Sequence, residues 1–246
     1  MRLSPVHELL LSDVLAVGAP YAFALGGGCA VQVHGLVERP AQALGVATES
    51  PVPMAEIAAE LGAGLAGCGW TVRQLECGTV SARLSVSDPV SAEGSEIELL
   101  KEVFWRPVVQ TGYGPVLALE DVVGTRVRAL ADRGLARDLI DVHAAADRWS
   151  HPELEELGRR HARGEFDLTE LQARLARAEW IDDREFAAYG LGEDDRAGLR
   201  AWAQSWVDDI AERLMEQAPP QDDEDDQGGG GGGGGTTAGD PTAEPG

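Results

Sequence analysis

The stretch Tyr21-Ala-Phe-Ala-Leu-Gly-Gly-Gly-Cys-Ala-Val-Gln-Val runs from apolar residues through three glycines into a helical pattern. A strand ending at Gly26, Gly27 and Gly28 and passing directly into a helix lets backbone N–H groups approach a phosphate with no Cβ in the way, and the helix start adds a favourable dipole. Glycines after a strand also make ordinary turns, so the loop alone supports either reading. Further on, Glu96 and Glu98 alternate with Ile97 and Leu99, which puts both carboxylates on one face of a strand. They are either solvated strand residues or the acids of a site. Arg126, Arg133, Arg137, Asp138 and Asp141 follow in helical segments. Arg126 is either a solvated helix position or a phosphate contact, and Arg133, Arg137, Asp138 and Asp141 are expected to form an ion-pair network that ties helices to sheet. His34 and His143 stand beside apolar residues and read as structural.

Those residues need a sheet and helices to hold them. Ser4-Pro5 is an N-cap with proline at the first helical position, opening a helix expected to carry Leu9, Leu10, Val14 and Leu15 inward. Tyr21 to Leu25 reads as a short strand. Met54, Ile57, Leu61 and Leu65 fall at helical spacing after Pro53, and Gly67 stops that helix. Trp70 to Glu76, Ser81 to Val86 and Glu96 to Leu100 read as strands, with Asp88-Pro89 and Glu93-Gly94 as turn signals. The expected core is α/β (α+β), a small mixed sheet of about four or five strands with helices on it.

The second half is helical. Val123, Val127 and Leu130 share one face, Leu139, Val142 and Ala146 another, and Ser150-x-x-Glu153 and Asp167-x-x-Glu170 are capping boxes or close variants. Leu199, Trp202, Trp206, Ile210 and Leu214 form a stripe expected to be core rather than a partner-binding face. The organisation expected is a core over residues 1–119, a helical subdomain over 120–216 and a disordered tail over 217–246. That tail is acidic and then glycine-rich, and it cannot bury enough apolar surface to offset its ordering entropy.

Composition bounds the function. The chain has 246 residues, 43% apolar and 25% charged, the range of a globular domain with an appendage. No window approaches the ~20 uninterrupted apolar residues of a membrane span, so a soluble protein without a membrane partner is expected. Net charge is -22, and after Arg213 eight carboxylates follow with no Lys or Arg. The body is acidic as well, which repels a phosphate backbone unless a local basic patch overrides it. No DNA contact is expected, while a small RNA site stays open. Cys29, Cys68 and Cys77 are odd in number and lack zinc spacing, and Ser4, Pro5, His7, Glu8 and Asp13 interrupt any secretory apolar run. A cytoplasmic location is expected. Lys101 is the one lysine beside nineteen arginines, a bias that fits a high-GC bacterial source.

Residues 20–145 resemble the nucleotidyltransferase family of AbiEii/AbiGii-type toxins, the enzymatic halves of abortive-infection toxin–antitoxin pairs. The family order is a strand, a Gly-Gly-Thr/Ser loop with a short helix, a strand bearing Asp-x-Asp, a later acidic strand, a Lys-containing helix and an Arg-Asp-x-x-Asp run. Gly27, Gly28 and Cys29 stand at the loop positions, Ile97-Glu98-Leu99 at the later acidic strand and Arg126 at the lysine. Arg133 with Arg137-Asp138-Leu-Ile-Asp141 stands at the final run. The resemblance implies Glu98 as candidate catalytic carboxylate and Gly27, Gly28, Cys29 and Arg126 as nucleotide-binding. Arg133, Arg137 and Asp138 come out as structural or substrate-contacting residues. It also implies an antitoxin partner and tRNA or another RNA as substrate.

One departure from the family order bears directly on catalysis. Aligning Arg39-Pro-Ala-Gln-Ala-Leu-Gly-Val-Ala-Thr48 on the family's Ser-x-Asp-hydrophobic-Asp pattern puts Ala43 and Gly45 at the two aspartates. Nucleotidyl transfer in this superfold needs Mg²⁺, which takes carboxylate oxygens in octahedral geometry, and neither residue supplies one. No metal site is therefore assigned, and Cys29 lacks the hydroxyl of threonine. Two functions compete. The first is a family member without metal catalysis that acts by binding a nucleotide, an RNA or a protein partner. The second is an active enzyme moving a nucleoside monophosphate from an NTP, with Mg²⁺, to RNA or protein through a rearranged set such as Glu49, Glu96 and Glu98. The missing pair favours the first.

Overall fold

The computed structural model describes residues 3–38 and 43–217. Helix α1 (Pro5–Val17) starts at Ser4, whose hydroxyl accepts from the His7 amide. Leu10, Leu11 and Val14 point into the core, Leu15 is half-buried against it, and Leu9 is 57% exposed. The inward Leu9 expected from the sequence is thus corrected: one residue is a 100° step, and the buried stripe centres on Leu10, Leu11 and Val14.

The expected strand Tyr21–Leu25 is also shorter. A 3₁₀ turn, Ala19–Tyr21, occupies its start, Ala22 adopts φ 50°, and β1 is only Ala24–Leu25. Pro20 lies in that turn, and its fixed φ favours turn over ladder. Helix α2 (Gly27–Val33) follows at once, then β2 (Ala43–Thr48), α3 (Met54–Gly67), β3 (Thr71–Cys77), β4 (Ser81–Ser87) and β5 (Gly94–Lys101). A hairpin of β6 (Val109–Thr111) and β7 (Gly114–Val116) completes the sheet. Among the described residues, seven strands in the order β3-β4-β5-β2-β1-β7-β6 replace the four or five expected. Strands of three residues containing Gly114 and Pro115 carry too little alternation to be read from sequence.

The register explains where the site lies. β2 is parallel to β5 and antiparallel to β1, with Gly45 opposite Glu98. On β4 and β5, Leu84, Val86, Ile97 and Leu99 bury one face under α1 and α3, while Arg83 and Glu98, partners in register, share the other.

Helices α4 (Leu119–Arg133), α5 (Ala136–His143), α6 (His151–His161), α7 (Leu168–Ala176), α8 (Asp183–Ala187) and α9 (Glu193–Gln217) make the rest. Ala146 lies beyond the end of α5. Leu199, Trp206 and Ile210 are fully buried, and Trp202 and Leu214 pack partly buried against them. Trp206 donates its indole N–H to buried Glu155, which also accepts two bonds from Arg213. One apolar cluster lies between sheet and α1/α3 and ends at Val122; the second begins at Val123. Helix α4 therefore serves both cores. Among the described residues no helix is long and apolar enough to cross a membrane. The tail expected to be disordered, apart from Gln217 at the end of α9, lies outside the described residues, as do Arg39–Gln42 of the aligned segment.

Candidate active-site cleft

Between the open face of the sheet and α4 lies a cleft of about 630 Å³. It brings together Gly27, Glu98, Arg126, Arg133 and Arg137 from separate segments of the chain. Gly28 and Cys29 are not on its wall. Cys29 is 1% exposed and its thiol donates to the Ala43 carbonyl at 3.3 Å; burial pushes that thiol up, so it is an inert core group. Asp138, fully buried, stands behind the wall.

The floor is a transverse row. Arg83, Glu98 and Gly45 are register partners across β4, β5 and β2, and the Gly26 amide donates to the Gly45 carbonyl at 3.0 Å where β1 ends. The glycine loop lies on that row. A Cβ on Gly45 would meet the Gly26 carbonyl oxygen at 3.0 Å and the Gly27 Cα at 3.5 Å, so close approach of two backbones is what glycine permits here. Gly27, at φ +56°, has an Arg126 terminal nitrogen 2.9 Å from the position its Cβ would take. Strand, loop and guanidinium are stacked.

Arg126 is 9% exposed, and burial pushes its basicity down against the opposing pull of Asp141 and Asp138. Its ion pairs are long, 3.8 Å to Asp138 and 3.7 Å to Asp141. Arg133 grips Asp138 with two bonds of 2.7 and 2.8 Å, which push its own basicity up. Arg137 reaches the same aspartate at 3.9 Å. The Arg133, Arg137, Asp138 and Asp141 group is thus an ion-pair network, and its arginines face the cleft. Its closest bonds join α4 to α5, and Glu98 of β5 adds to the raised basicity of Arg133.

Arg83 and Arg128, which sequence reading passed over, line the same cleft. Arg83 bonds Glu76, and Arg128 binds Glu102 through two 2.7 Å bonds. Arg128 is two residues from Arg126 and would be expected on another face; α4 is buried nearly all round from Asp121 to Leu130, so both point into protein. Glu102, just past β5, had no local signal.

The donor set does not fit Mg²⁺. Ala43 and Gly45 bring no oxygen to the side of β2 nearest Glu98, Glu76 and Glu102 are held by arginines, and Glu96 lies 3.7 Å from Arg83. Glu49 instead accepts from the Phe104 amide and borders other grooves. Among the described residues no three His, Cys, Asp or Glu side chains are grouped to hold a metal ion. The histidines are structural in placement: His34 Nε2 bonds the Leu117 carbonyl at 2.7 Å, and the His143 ring lies 5.0 Å from that of Trp202.

Residues 108–215 match the model of the family described as nucleotidyl transferase AbiEii toxin, type IV toxin–antitoxin system. The match contains Arg126 to Asp141 and runs through most of α9; the glycine loop lies before it. The fold is similar to that of MenT4, a nucleotidyltransferase toxin from Mycobacterium tuberculosis H37Rv, with TM-score 0.52, 16% identity, 85% of this chain and 91% of that chain covered. A putative nucleotidyltransferase from H. pylori gives TM-score 0.52 and 14% identity, covering 86% and 99%. No curated protein matches the chain. The family match shows the AbiEii-type likeness read from the sequence, and the structures show the nucleotidyltransferase-toxin fold.

Proposed function

We propose, from the premise of an AbiEii-type nucleotidyltransferase toxin fold, that this chain binds a nucleotide in its arginine-lined cleft and does not carry out metal-dependent nucleotidyl transfer. The observation that supports this reading is Gly45 beside Glu98: the position next to the cleft's unclaimed carboxylate, on the strand that the family pattern furnishes with acids, has no side chain. A lone carboxylate leaves nearly the whole octahedral Mg²⁺ shell to water and phosphate, with no second acid to position the ion for transfer. Glycine loop and arginines remain, and both suit phosphate oxygens. By the family likeness of its helical half, the protein works beside an antitoxin in the cell interior, and RNA or protein is the acceptor that an active relative would use.

The experiment is incubation of the full chain with labelled ATP, CTP, GTP or UTP, Mg²⁺ and total RNA, with binding measured in parallel. The expected outcome is nucleotide binding with no label transferred to RNA or protein. Robust transfer that is lost in Glu98→Gln would overturn the reading and return the chemistry to a carboxylate set centred on Glu98.

A further inference from the structure

We infer that the cleft takes the phosphates of a nucleoside triphosphate without a divalent cation, the Arg126 guanidinium supplying the neutralising charge and Arg137 assisting it. This rests on the nucleotide-binding reading and goes beyond it by removing the metal from binding as well as from catalysis.

Position comes first. An Arg126 terminal nitrogen lies against Gly27, which with Gly26 packs on the vacant strand position. Beneath it the loop rests against Gly45, which brings no carboxylate for a cation to this side of the strand. The nearest full positive charge to the loop is therefore a protein side chain.

Unsatisfied donors point the same way. A guanidinium has five N–H donors. Arg126 is nine-tenths buried, its Nε has no hydrogen-bond partner among the described residues, and its aspartates stand beyond hydrogen-bonding distance. Arg137 repeats the pattern, with a buried, unbonded Nε and one ion pair of 3.9 Å. Buried charge left without hydrogen bonds is costly, and phosphate oxygens in the cleft would relieve it through short charge-assisted bonds.

The other arginines of the cleft are already engaged. Arg133 is committed to Asp138 and Arg128 to Glu102, and Arg83, whose Nε is likewise unbonded, is held by Glu76 through its terminal nitrogen. Arg126 and Arg137 are left over. Glu98, which faces the same cleft, repels phosphate when no cation bridges them, and this opposes the sign expected of a metal ligand.

That sign makes the test. Binding of ATP, GTP, CTP and UTP to the full chain is measured by titration calorimetry in EDTA and again in Mg²⁺. At least one nucleotide should bind with the same affinity in both. Arg126→Met should weaken that binding by about tenfold or more, the worth of one charge-assisted hydrogen bond. Arg137→Gln, at a partly exposed position, should weaken it in the same direction and guards against misfolding of the Arg126 variant. Glu98→Gln should tighten binding in EDTA. Binding seen only with Mg²⁺, or weakened by Glu98→Gln, overturns this inference and leaves the nucleotide-binding reading standing. No binding of any nucleotide in either buffer overturns both.

Discussion

At the scale of single residues, the cleft turns on positions defined by what they lack. Gly45 has no carboxylate and no Cβ, and the loop has closed onto it. Gly45→Ala asks for space already held by the Gly26 carbonyl at 3.0 Å, backbone that must move by tenths of an ångström. Overpacking of this kind typically costs about 1–3 kcal/mol. Urea unfolding should show a loss within that range, and an unchanged midpoint would mean that loop and strand are not in the contact described. Arg126 matters for the converse reason: it has donors to spare in a place water reaches poorly.

At the scale of elements, local chemistry places the helices that carry these arginines and those packed against them. The α6 start is a capping box, with the Ser150 amide and hydroxyl both on Glu153 at 2.8 and 2.7 Å. Those bonds hold the Glu153 carboxyl below its usual range. A carboxyl depressed in the folded state adds stability above its unfolded pKa, ~4.3 for Glu, and loses it as pH falls through the folded value. Ser150→Ala should therefore lower stability at neutral pH by about 1 kcal/mol, and the gap to the parent should narrow in acid. Thermal melts at neutral pH and at pH values under the glutamate range would check both halves.

At the scale of the whole molecule, helix α4, Leu36 and Val37, and an ion-pair cluster around Glu102 join sheet to helical bundle. Helix α4 gives Val122 to the first core and Val123 to the second. Glu102, 7% exposed at the end of β5, accepts two bonds from Arg128 of α4 and one of 3.1 Å from Arg163 beyond α6. Glu102→Gln leaves Arg128 buried without its counter-charge, a change that costs about 3–5 kcal/mol when a buried pair is broken from one side. Guanidinium denaturation should show that loss. A variant as stable as the parent would mean that the Glu102 ion pairs add nothing to the apolar contacts of α4, Leu36 and Val37 that join the two cores.

Much of this was legible in the residues themselves. Ser4-Pro5, the Met54-Ile57-Leu61-Leu65 spacing, the alternation of Ser81 to Leu100 and the Leu199-Trp206-Ile210 stripe are short-range patterns, and each became the element they describe. The order of loop, acidic strand and arginine run was legible as a family resemblance, together with the absent aspartates. The tertiary structure alone decided that β2 lies between β5 and β1 with Gly45 level with Glu98, and that β6 and β7 exist at all. It alone buried Arg126 over Gly27 and added Arg83, Arg128 and Glu102 to the cleft. The physical reason is range. Periodicity and capping depend on neighbours within a turn or a strand, whereas strand order, register and the burial of a charge depend on segments far apart in the chain.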